Sequence, residues 1–324
     1  MPFVRFREFF SMRFRGLFIV IIVAAVSPVG AQQLDFVPVT DAVLRNPDPA
    51  DWLRWRRDHS ASGYSPLQQV NRQNVGKLGL AWAWPMEDGH QEQEPIVYKG
   101  VMYLPHSNNV VQALNARTGE LIWEYRRELP EDARASGSRN IAIYQDKIFL
   151  GTLDGYLVAL GARTGSVVWE TKVADYQQHN RYTAGPIAAD GKVFAGLACR
   201  VGSLRSCFMS AHDAATGKLL WRRESIAGPG DPAEHNATWN DVPYEERKKG
   251  SFWLSGSYDP DLKMVYWTTA SPYPYPEILR GSGDGAVLYT NSLLALDAET
   301  GNIRWFWQMQ PRDNFDLDHQ DNPI

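Results

Sequence analysis

The chain has 324 residues, of which 44% are hydrophobic and 22% charged, and its formal net charge is −4. This composition excludes a disordered, collagen-like or disulfide-dense protein, and the length allows one large domain or two ordinary ones. The slightly acidic charge argues against a nucleic-acid-binding protein, which generally carries a basic patch or stripe. The sequence therefore predicts a globular protein that does not bind nucleic acid.

The first 31 residues contain the three parts of a secretory signal peptide. Four arginines between positions 5 and 15 precede an apolar run at 17–26, and Val29-Gly30-Ala31 offers small residues for cleavage. The alternative is a membrane anchor, which needs about 20 apolar residues, roughly twice the length of this run. We expect residues 1–31 to be removed on export to the periplasm, leaving residues 32–324 without a membrane anchor.

The chain contains two cysteines, Cys199 and Cys207, on either side of a short polar stretch. An exported protein folds in an oxidising compartment, where disulfides persist. We therefore expect the two cysteines to form a local disulfide. The alternative is a pair of free thiols on neighbouring strands.

The rest of the sequence contains a repeat with the pattern A-x-x-A-x-T-G-x-x-x-W. It occurs four times without gaps, beginning at Ala113, Ala159, Ala211 and Ala295, and the starts are 46, 52 and 84 residues apart. Spacing in this range is typical of solenoids, propellers and other repeat arrays.

Short alternating apolar runs precede each motif, as the second unit shows. Runs at 141–144, 147–151 and 156–160 are separated by turn residues, and a last strand ends at Trp169. Four-stranded antiparallel units at this period predict an all-β fold, a β-propeller whose recurring tryptophans fill the wedges between blades. The alternative is a β-sandwich in which the repeat is accidental.

Two parts of the sequence depart from this pattern. Leu78–Pro85 resembles the final strand of a blade, with Trp82 or Trp84 in the tryptophan position, but no earlier strands of that blade precede it. The fourth unit carries a long insertion at 271–287 before its third strand. We interpret the unaccompanied strand as a sign that the chain is truncated.

Three further stretches carry a resemblance to a known family. They are Tyr64-Ser65-Pro66-Leu67 in the opening segment, Gly256-Ser257-Tyr258-Asp259-Pro260, and the Asp316-x-Asp318 pair near the end. With the repeat, they make the chain resemble the quinoprotein alcohol dehydrogenases, periplasmic eight-bladed propellers that use pyrroloquinoline quinone (PQQ). The resemblance implies about four of eight blades, PQQ as cofactor, and oxidation of a small alcohol by hydride transfer to the quinone. Because the sequence lacks C-x-x-C-H, the electron acceptor would be a separate protein such as a periplasmic cytochrome c.

The resemblance assigns three residues to the cofactor. Trp253 matches the tryptophan on which the quinone stacks, Arg139 matches an arginine that contacts its oxygens, and Thr183 matches a threonine that hydrogen-bonds it. A guanidinium suits a planar carboxylate or carbonyl group. The alternatives are another wedge-filling tryptophan, a surface arginine and an ordinary strand threonine.

The resemblance also implies a catalytic base and a metal site. Asp316 matches the base that removes the alcohol proton, and Asp316, Asp318 and Ser271 fall where the family binds Ca²⁺ or a lanthanide. If the segment were extended, both aspartates would point the same way.

Three departures put the metal in question. Arg200 or Val201 stands at the position of a ligating glutamate, Ser271 replaces an asparagine, and Phe315 replaces a tryptophan. The competing hypothesis is a non-catalytic periplasmic propeller that binds other proteins, with the aspartates forming a solvated acidic terminus.

Overall fold

The structure is a computed structural model that describes residues 36–317 except 87, 134–138, 179 and 200–206. The predicted signal peptide, Arg200, Val201 and Asp318 therefore lie outside the described residues. Within the described residues, four separate four-stranded antiparallel sheets follow one another along the chain, as the repeat predicts. Each sheet is one blade, and its strands pair in chain order.

The strands fall into these groups. The first blade contains β1 (Ile96–Tyr98), β2 (Val101–His106), β3 (Val110–Asn115) and β4 (Leu121–Arg126). The second contains β5 (Ala142–Tyr144), β6 (Lys147–Gly151), β7 (Tyr156–Gly161) and β8 (Val167–Lys172). After β9 (Asn180–Arg181), the third contains β10 (Ile187–Ala189), β11 (Lys192–Gly196), β13 (Phe208–Asp213) and β14 (Leu219–Glu224), with β12 (Ala198–Cys199) inserted and paired to β9. After β15 (Lys248–Lys249), the fourth contains β16 (Ser257–Asp259), β17 (Met264–Thr268), β19 (Ser292–Asp297) and β20 (Ile303–Gln308), with β18 (Pro272–Tyr273) paired to β15.

The helices are short and lie outside the blades. They are α1 (Asp41–Arg45), α2 (Ala233–Ala237) and α3 (Glu277–Arg280), with single 3₁₀ turns at Val75–Lys77, Ser107–Asn109, Glu131–Ala133, Tyr176–Gln178 and Tyr244–Glu246. Among the described residues, none of these helices is long and apolar enough to cross a membrane.

The repeat has the same register in every blade. The first alanine of each motif lies opposite the tryptophan of the same motif, and the register shifts by a bulge immediately afterwards; the pairs are Ala113–Trp123, Ala159–Trp169, Ala211–Trp221 and Ala295–Trp305. A bulge increases the local twist and re-aims the side chains beside it. The shared register therefore gives each tryptophan the same position in its blade.

The tryptophans of the first three motifs each join their blade to the next one. The indole N–H of Trp123 donates to the carbonyl of Ala162 at 3.0 Å, and that of Trp221 donates to Ala298 at 3.0 Å. In both cases the acceptor is the second alanine of the following motif. A Cβ added to Gly301 would lie 2.5 Å from the Trp221 ring, so the glycine of the Thr-Gly turn is needed for this approach. We call this contact between indole, carbonyl and glycine a joint.

The prediction of a strand over Leu78–Pro85 is wrong, although the segment does form a joint. The chain has no strand there, because no neighbouring strand within the described residues offers it a hydrogen-bonding ladder. Trp82 nevertheless donates its indole N–H to the carbonyl of Ala116 at 3.2 Å and packs on Gly119. Trp84 instead donates to Oε1 of Gln112, so Trp82 is the residue in the tryptophan position.

The blades have two distinct ends. The turns between first and second strands and the Thr-Gly turns lie at one end, which we call the turn end. The connections between second and third strands and between blades lie at the opposite end, the loop end. Residues 37–45 pack across the turn end: Val39 bridges to Gln145, Asp41 accepts hydrogen bonds from Tyr144 and Asp190, and Arg45 pairs with Asp261. Residues 37–45 therefore cover part of the turn end.

Candidate functional site

One polar or aromatic side chain from each blade meets at the loop end. Glu92, Arg139, Thr183 and Trp253 each lie three or four residues before the first strand of their blade. The same offset in four repeats brings them to the same level of the molecule. We call these four residues the platform.

Arg139 is the centre of the platform. Its Nη2 forms an ion pair with Oε2 of Glu92 at 2.5 Å, and its guanidinium carbon lies 4.7 Å from the centroid of the Trp253 ring. Nη1 donates to the backbone carbonyls of Thr183 at 3.4 Å and Trp253 at 3.5 Å. Burial lowers the pKa of Arg139 and the Glu92 carboxylate opposes this shift, so the guanidinium stays charged.

Thr183 and Trp253 complete the platform. The Thr183 hydroxyl donates to the carbonyl of Trp253 at 3.4 Å, and the backbone N–H of Arg139 donates to the carbonyl of Thr183 at 3.1 Å. All three side chains are half-buried. Trp253 lies outside the four-stranded sheets, in the segment that leads into β16, so it does not occupy the repeat position of the joint tryptophans.

The segment before Trp253 ties the third and fourth blades together. The N–H of Phe252 donates to the carbonyl of Leu197, while the N–H of Ala270 donates to the carbonyl of Ser251. These bonds attach the backbone next to Trp253 to the third blade and to the segment that leads into Ser271.

The expected disulfide between Cys199 and Cys207 is present, with the two Cα atoms 5.6 Å apart. Both cysteines are buried, and the N–H of Cys199 donates to the hydroxyl of Ser251 at 3.2 Å. The disulfide therefore closes a loop beside the segment that carries Trp253.

Ser271 is fully buried and its hydroxyl donates to Oδ2 of Asp313 at 2.6 Å. Asp313 is also fully buried. Burial alone would raise the pKa of Asp313, but hydrogen bonds from Ser271 and from the N–H groups of Phe315 and Leu317 outweigh it and lower that pKa. Asp313 is thus an ionised buried carboxylate, and its burial was not predicted from the sequence.

Asp316 lies in a turn, and the expectation of an extended segment at this position is wrong. Its φ is +60°, in the left-handed region, because Asp313 accepts N–H groups from Phe315 and Leu317 and wraps the chain around its carboxylate. The Oδ2 atom of Asp316 accepts a hydrogen bond from the Tyr275 hydroxyl at 2.5 Å. Side chains therefore do not alternate between two faces at Asp316 as they would in an extended strand.

The described residues do not assemble the expected cation cage. No cluster of three or more histidine, cysteine, aspartate or glutamate side chains suited to a metal occurs within the described part of the chain. The Ser271 hydroxyl is directed to Asp313, and Asp316 is bonded to Tyr275. The roles of Ser271, Asp316 and Asp318 in binding Ca²⁺ or a lanthanide stay predictions.

The platform, in contrast, contains two groups whose chemistry suits a flat anionic ring. An indole offers π surface, and a guanidinium offers planar donors to carboxylate and carbonyl oxygens. Arg139, Thr183 and Trp253 are predictable from the sequence by resemblance, whereas Glu92 was not predicted. Its position in the repeat could have identified it, because Glu92 precedes the first strand of its blade by the same number of residues as Thr183 and Trp253.

Together, the blades, joints and platform define a tryptophan-docked repeat propeller with a polar site at one end. Comparison with known proteins gives the family. The glucose/ethanol/alcohol dehydrogenase β-propeller domain, a PQQ family, matches residues 52–324, and the chain belongs to this family. The predicted family and propeller fold are confirmed.

Individual relatives agree with this assignment. The chain is 35% identical over 297 residues to the quinohemoprotein alcohol dehydrogenase ADH IIB of Pseudomonas putida, covering 86% of this chain and 43% of the relative. It is 34% identical over 318 residues to the dehydrogenase subunit of the quinone alcohol dehydrogenase of Gluconobacter oxydans, covering 90% and 42%. The chain thus spans under half the length of these relatives.

Solved structures show the same likeness. The quinohemoprotein alcohol dehydrogenase ADHIIG of Pseudomonas putida HK5 superposes with a TM-score of 0.77 at 31% identity, covering 87% of this chain and 44% of that one. A europium-containing methanol dehydrogenase superposes with a TM-score of 0.77 at 27% identity, covering 87% and 52%.

Proposed function

We propose that this chain forms part of a periplasmic PQQ-dependent dehydrogenase that oxidises an alcohol. The observation that carries the proposal is the platform, in which an indole face and a paired guanidinium meet at the loop end. The names of the relatives supply the reaction class, and the signal-like residues 1–31 support the periplasm. A cytochrome-type haem group would accept the electrons, in line with the quinohemoprotein relatives.

The platform residues would hold the cofactor in a fixed orientation. Trp253 would support the flat ring, and Arg139 would bind its oxygens while Glu92 holds the guanidinium in place. Thr183 would offer its hydroxyl as a further hydrogen-bonding group. When bound, PQQ supplies the acceptor for the hydride that leaves the alcohol carbon.

Asp316 would take the proton of the alcohol hydroxyl. A half-buried carboxylate oxygen suits this role, and the bond from Tyr275 fixes its orientation. No step is assigned to a metal ion, since the described donors do not form a cage.

Titration of the metal-replete full-length protein with PQQ tests the proposal. We expect saturable binding of about one PQQ per chain and dye-coupled oxidation of primary alcohols. Asp316→Asn should lower turnover by at least about 100-fold while PQQ binding is kept, in line with the usual size of general-base effects. Asp261→Asn, an exposed carboxylate at the turn end, is the control and should keep full turnover. Absence of PQQ binding by the folded protein would contradict the proposal.

One observation favours the second candidate, a non-catalytic propeller that binds other proteins. The Ser271 hydroxyl, at a predicted metal position, is fully buried and used by Asp313. A folded protein that binds no PQQ with or without Ca²⁺ or a lanthanide would support this candidate.

A further inference from the structure

A second layer of residues lies directly beneath the platform. Asn140 follows Arg139, while Gly185 and Ser255 lie two residues after Thr183 and Trp253. Asn140 is 5% exposed and Ser255 is 2% exposed, so the layer is shielded from solvent. We call Asn140, Gly185 and Ser255 the clamp.

The hydroxyl of Ser255 connects three blades. It donates to the carbonyl of Gly185 at 3.0 Å, accepts from the N–H of Gly185 at 3.1 Å, and accepts from Nδ2 of Asn140 at 2.9 Å. In these three bonds the hydroxyl donates once and accepts twice. Each partner lies just before the innermost strand of a different blade, so one oxygen atom fixes the spacing of β5, β10 and β16.

The clamp is tightly packed on one side and has space on the other. A Cβ added to Gly185 would lie 2.1 Å from Cβ of Asn140, so the two backbones approach as closely as glycine allows. On the other side, Asn140 and Ser255 line a cavity together with Leu53 and Trp55, with room for about one water molecule. Oδ1 of Asn140 is buried and has no hydrogen-bond partner among the described residues.

The geometry points to Ser255 as a positioning residue for the quinone site, an inference that rests on the proposed function. The backbones that carry Arg139, Thr183 and Trp253 are set by the clamp one or two residues away. If the Ser255 hydroxyl is removed, the Asn140 side-chain amide and the Gly185 N–H and carbonyl lose their shared hydrogen-bond partner in a region shielded from solvent. The three segments then separate, and the guanidinium moves relative to the indole. Quinone affinity therefore depends on a hydroxyl that is buried beneath the binding surface.

Fluorine NMR combined with PQQ titration tests this inference on the full-length protein. Tryptophans are replaced with 5-fluorotryptophan, and the Trp253 resonance is assigned with Trp253→Phe. Ser255→Ala should move the Trp253 resonance in the PQQ-free protein and raise the Kd for PQQ at least tenfold. Ser255→Thr keeps the hydroxyl, and the adjacent cavity accepts its methyl group, so it should restore both values.

Ser292→Ala is the matched control. Ser292 is fully buried in the same blade and its hydroxyl donates to the carbonyl of Thr290 at 2.9 Å. It should lower the melting temperature without moving the Trp253 resonance or the Kd. If Ser255→Ala does not fold, Asn140→Ala removes one bond of the clamp and should give a smaller change in the same direction.

The outcomes separate the two proposals. An unchanged Trp253 resonance and Kd in Ser255→Ala, or equal changes in Ser292→Ala, would overturn the positioning role. A wild-type protein that binds no PQQ would overturn the proposed function instead. The fluorine shift would then still decide whether Ser255 positions Trp253.

Discussion

The joints and the platform use the same residue type for different purposes. Trp221, at a joint, is 8% exposed, donates its indole N–H to a backbone carbonyl, and packs on the glycine of the next blade. Trp253, on the platform, is half-buried and carries a guanidinium over its ring. Position in the repeat separates the two, since Trp221 keeps the motif register and Trp253 lies outside it. A tryptophan that breaks the register of a tryptophan-docked propeller is therefore a candidate for binding rather than packing.

Replacing the two tryptophans with alanine should have opposite consequences. Trp221→Ala should lower the free energy of unfolding by about 3–5 kcal/mol, since it empties a buried joint. Trp253→Ala should lower the free energy of unfolding by less than about 1 kcal/mol, because its ring is only half-buried. The same change should raise the Kd for PQQ more than tenfold. Urea unfolding and PQQ titration of both variants measure the two effects. Similar unfolding losses in both variants would show that Trp253 is another packing residue.

The joint glycines offer a second test, with an internal control. Gly301 has φ of +73° and faces the Trp221 ring, whereas Gly191 has φ of +74° and open space where a Cβ would lie. Gly301→Ala should lower the free energy of unfolding by about 3 kcal/mol, and Gly191→Ala by about 1 kcal/mol from backbone strain alone. If urea unfolding shows equal losses of unfolding free energy in the two variants, the contact with Trp221 causes no destabilisation beyond the backbone strain.

Arginines can be compared in the same way. Arg139→Lys keeps the charge but loses the planar stack, so the Kd for PQQ should rise about tenfold, or about 1.4 kcal/mol. Arg127, which pairs with Asp154 and lies 4.5 Å from the Tyr156 ring centroid, is the structural counterpart. Arg127→Lys should lower the melting temperature and leave the Kd unchanged. An unchanged Kd in Arg139→Lys would leave the platform without its proposed anchor.

The smallest effect is expected at Trp305, the tryptophan of the fourth motif. It is 46% exposed, unlike its counterparts Trp123 and Trp221, which are at most 9% exposed. Trp305→Ala should therefore lower the free energy of unfolding by less than about 1 kcal/mol. A loss as large as that of Trp221→Ala would show that another surface covers Trp305 in solution.

The repeat made most of the fold predictable from the sequence. Local alternation and turn residues mark the strands, and the fixed positions of the motif set the register, so the second blade differs from prediction only at strand ends. Val167–Lys172, for example, continues past Trp169 because β7 keeps offering it a partner. Leu78–Pro85 was misassigned because a strand depends on neighbours that its own residues do not reveal.

The site was less predictable, since its contacts join residues far apart in the chain. Arg139, Thr183 and Trp253 were selected by resemblance, but the pairing of Arg139 with Glu92 spans 47 positions and crosses from one blade to another. Nothing in the sequence distinguishes Asp313 from the acidic residues around it, and only the folded chain shows it buried against Ser271. The positive φ of Asp316 follows from that burial, so alternation within the segment predicted its geometry wrongly.

The joints between blades lie at the turn end and are the same throughout, whereas the connections at the loop end vary in length. The connection between second and third strands grows from the three residues Ser107–Asn109 in the first blade to the long insertion before Ser292 in the fourth. Every joint is nevertheless made in the same way, because joints use only the Thr-Gly turns at the other end. Loops at the loop end can therefore lengthen and add surface there without changing how one blade packs against the next.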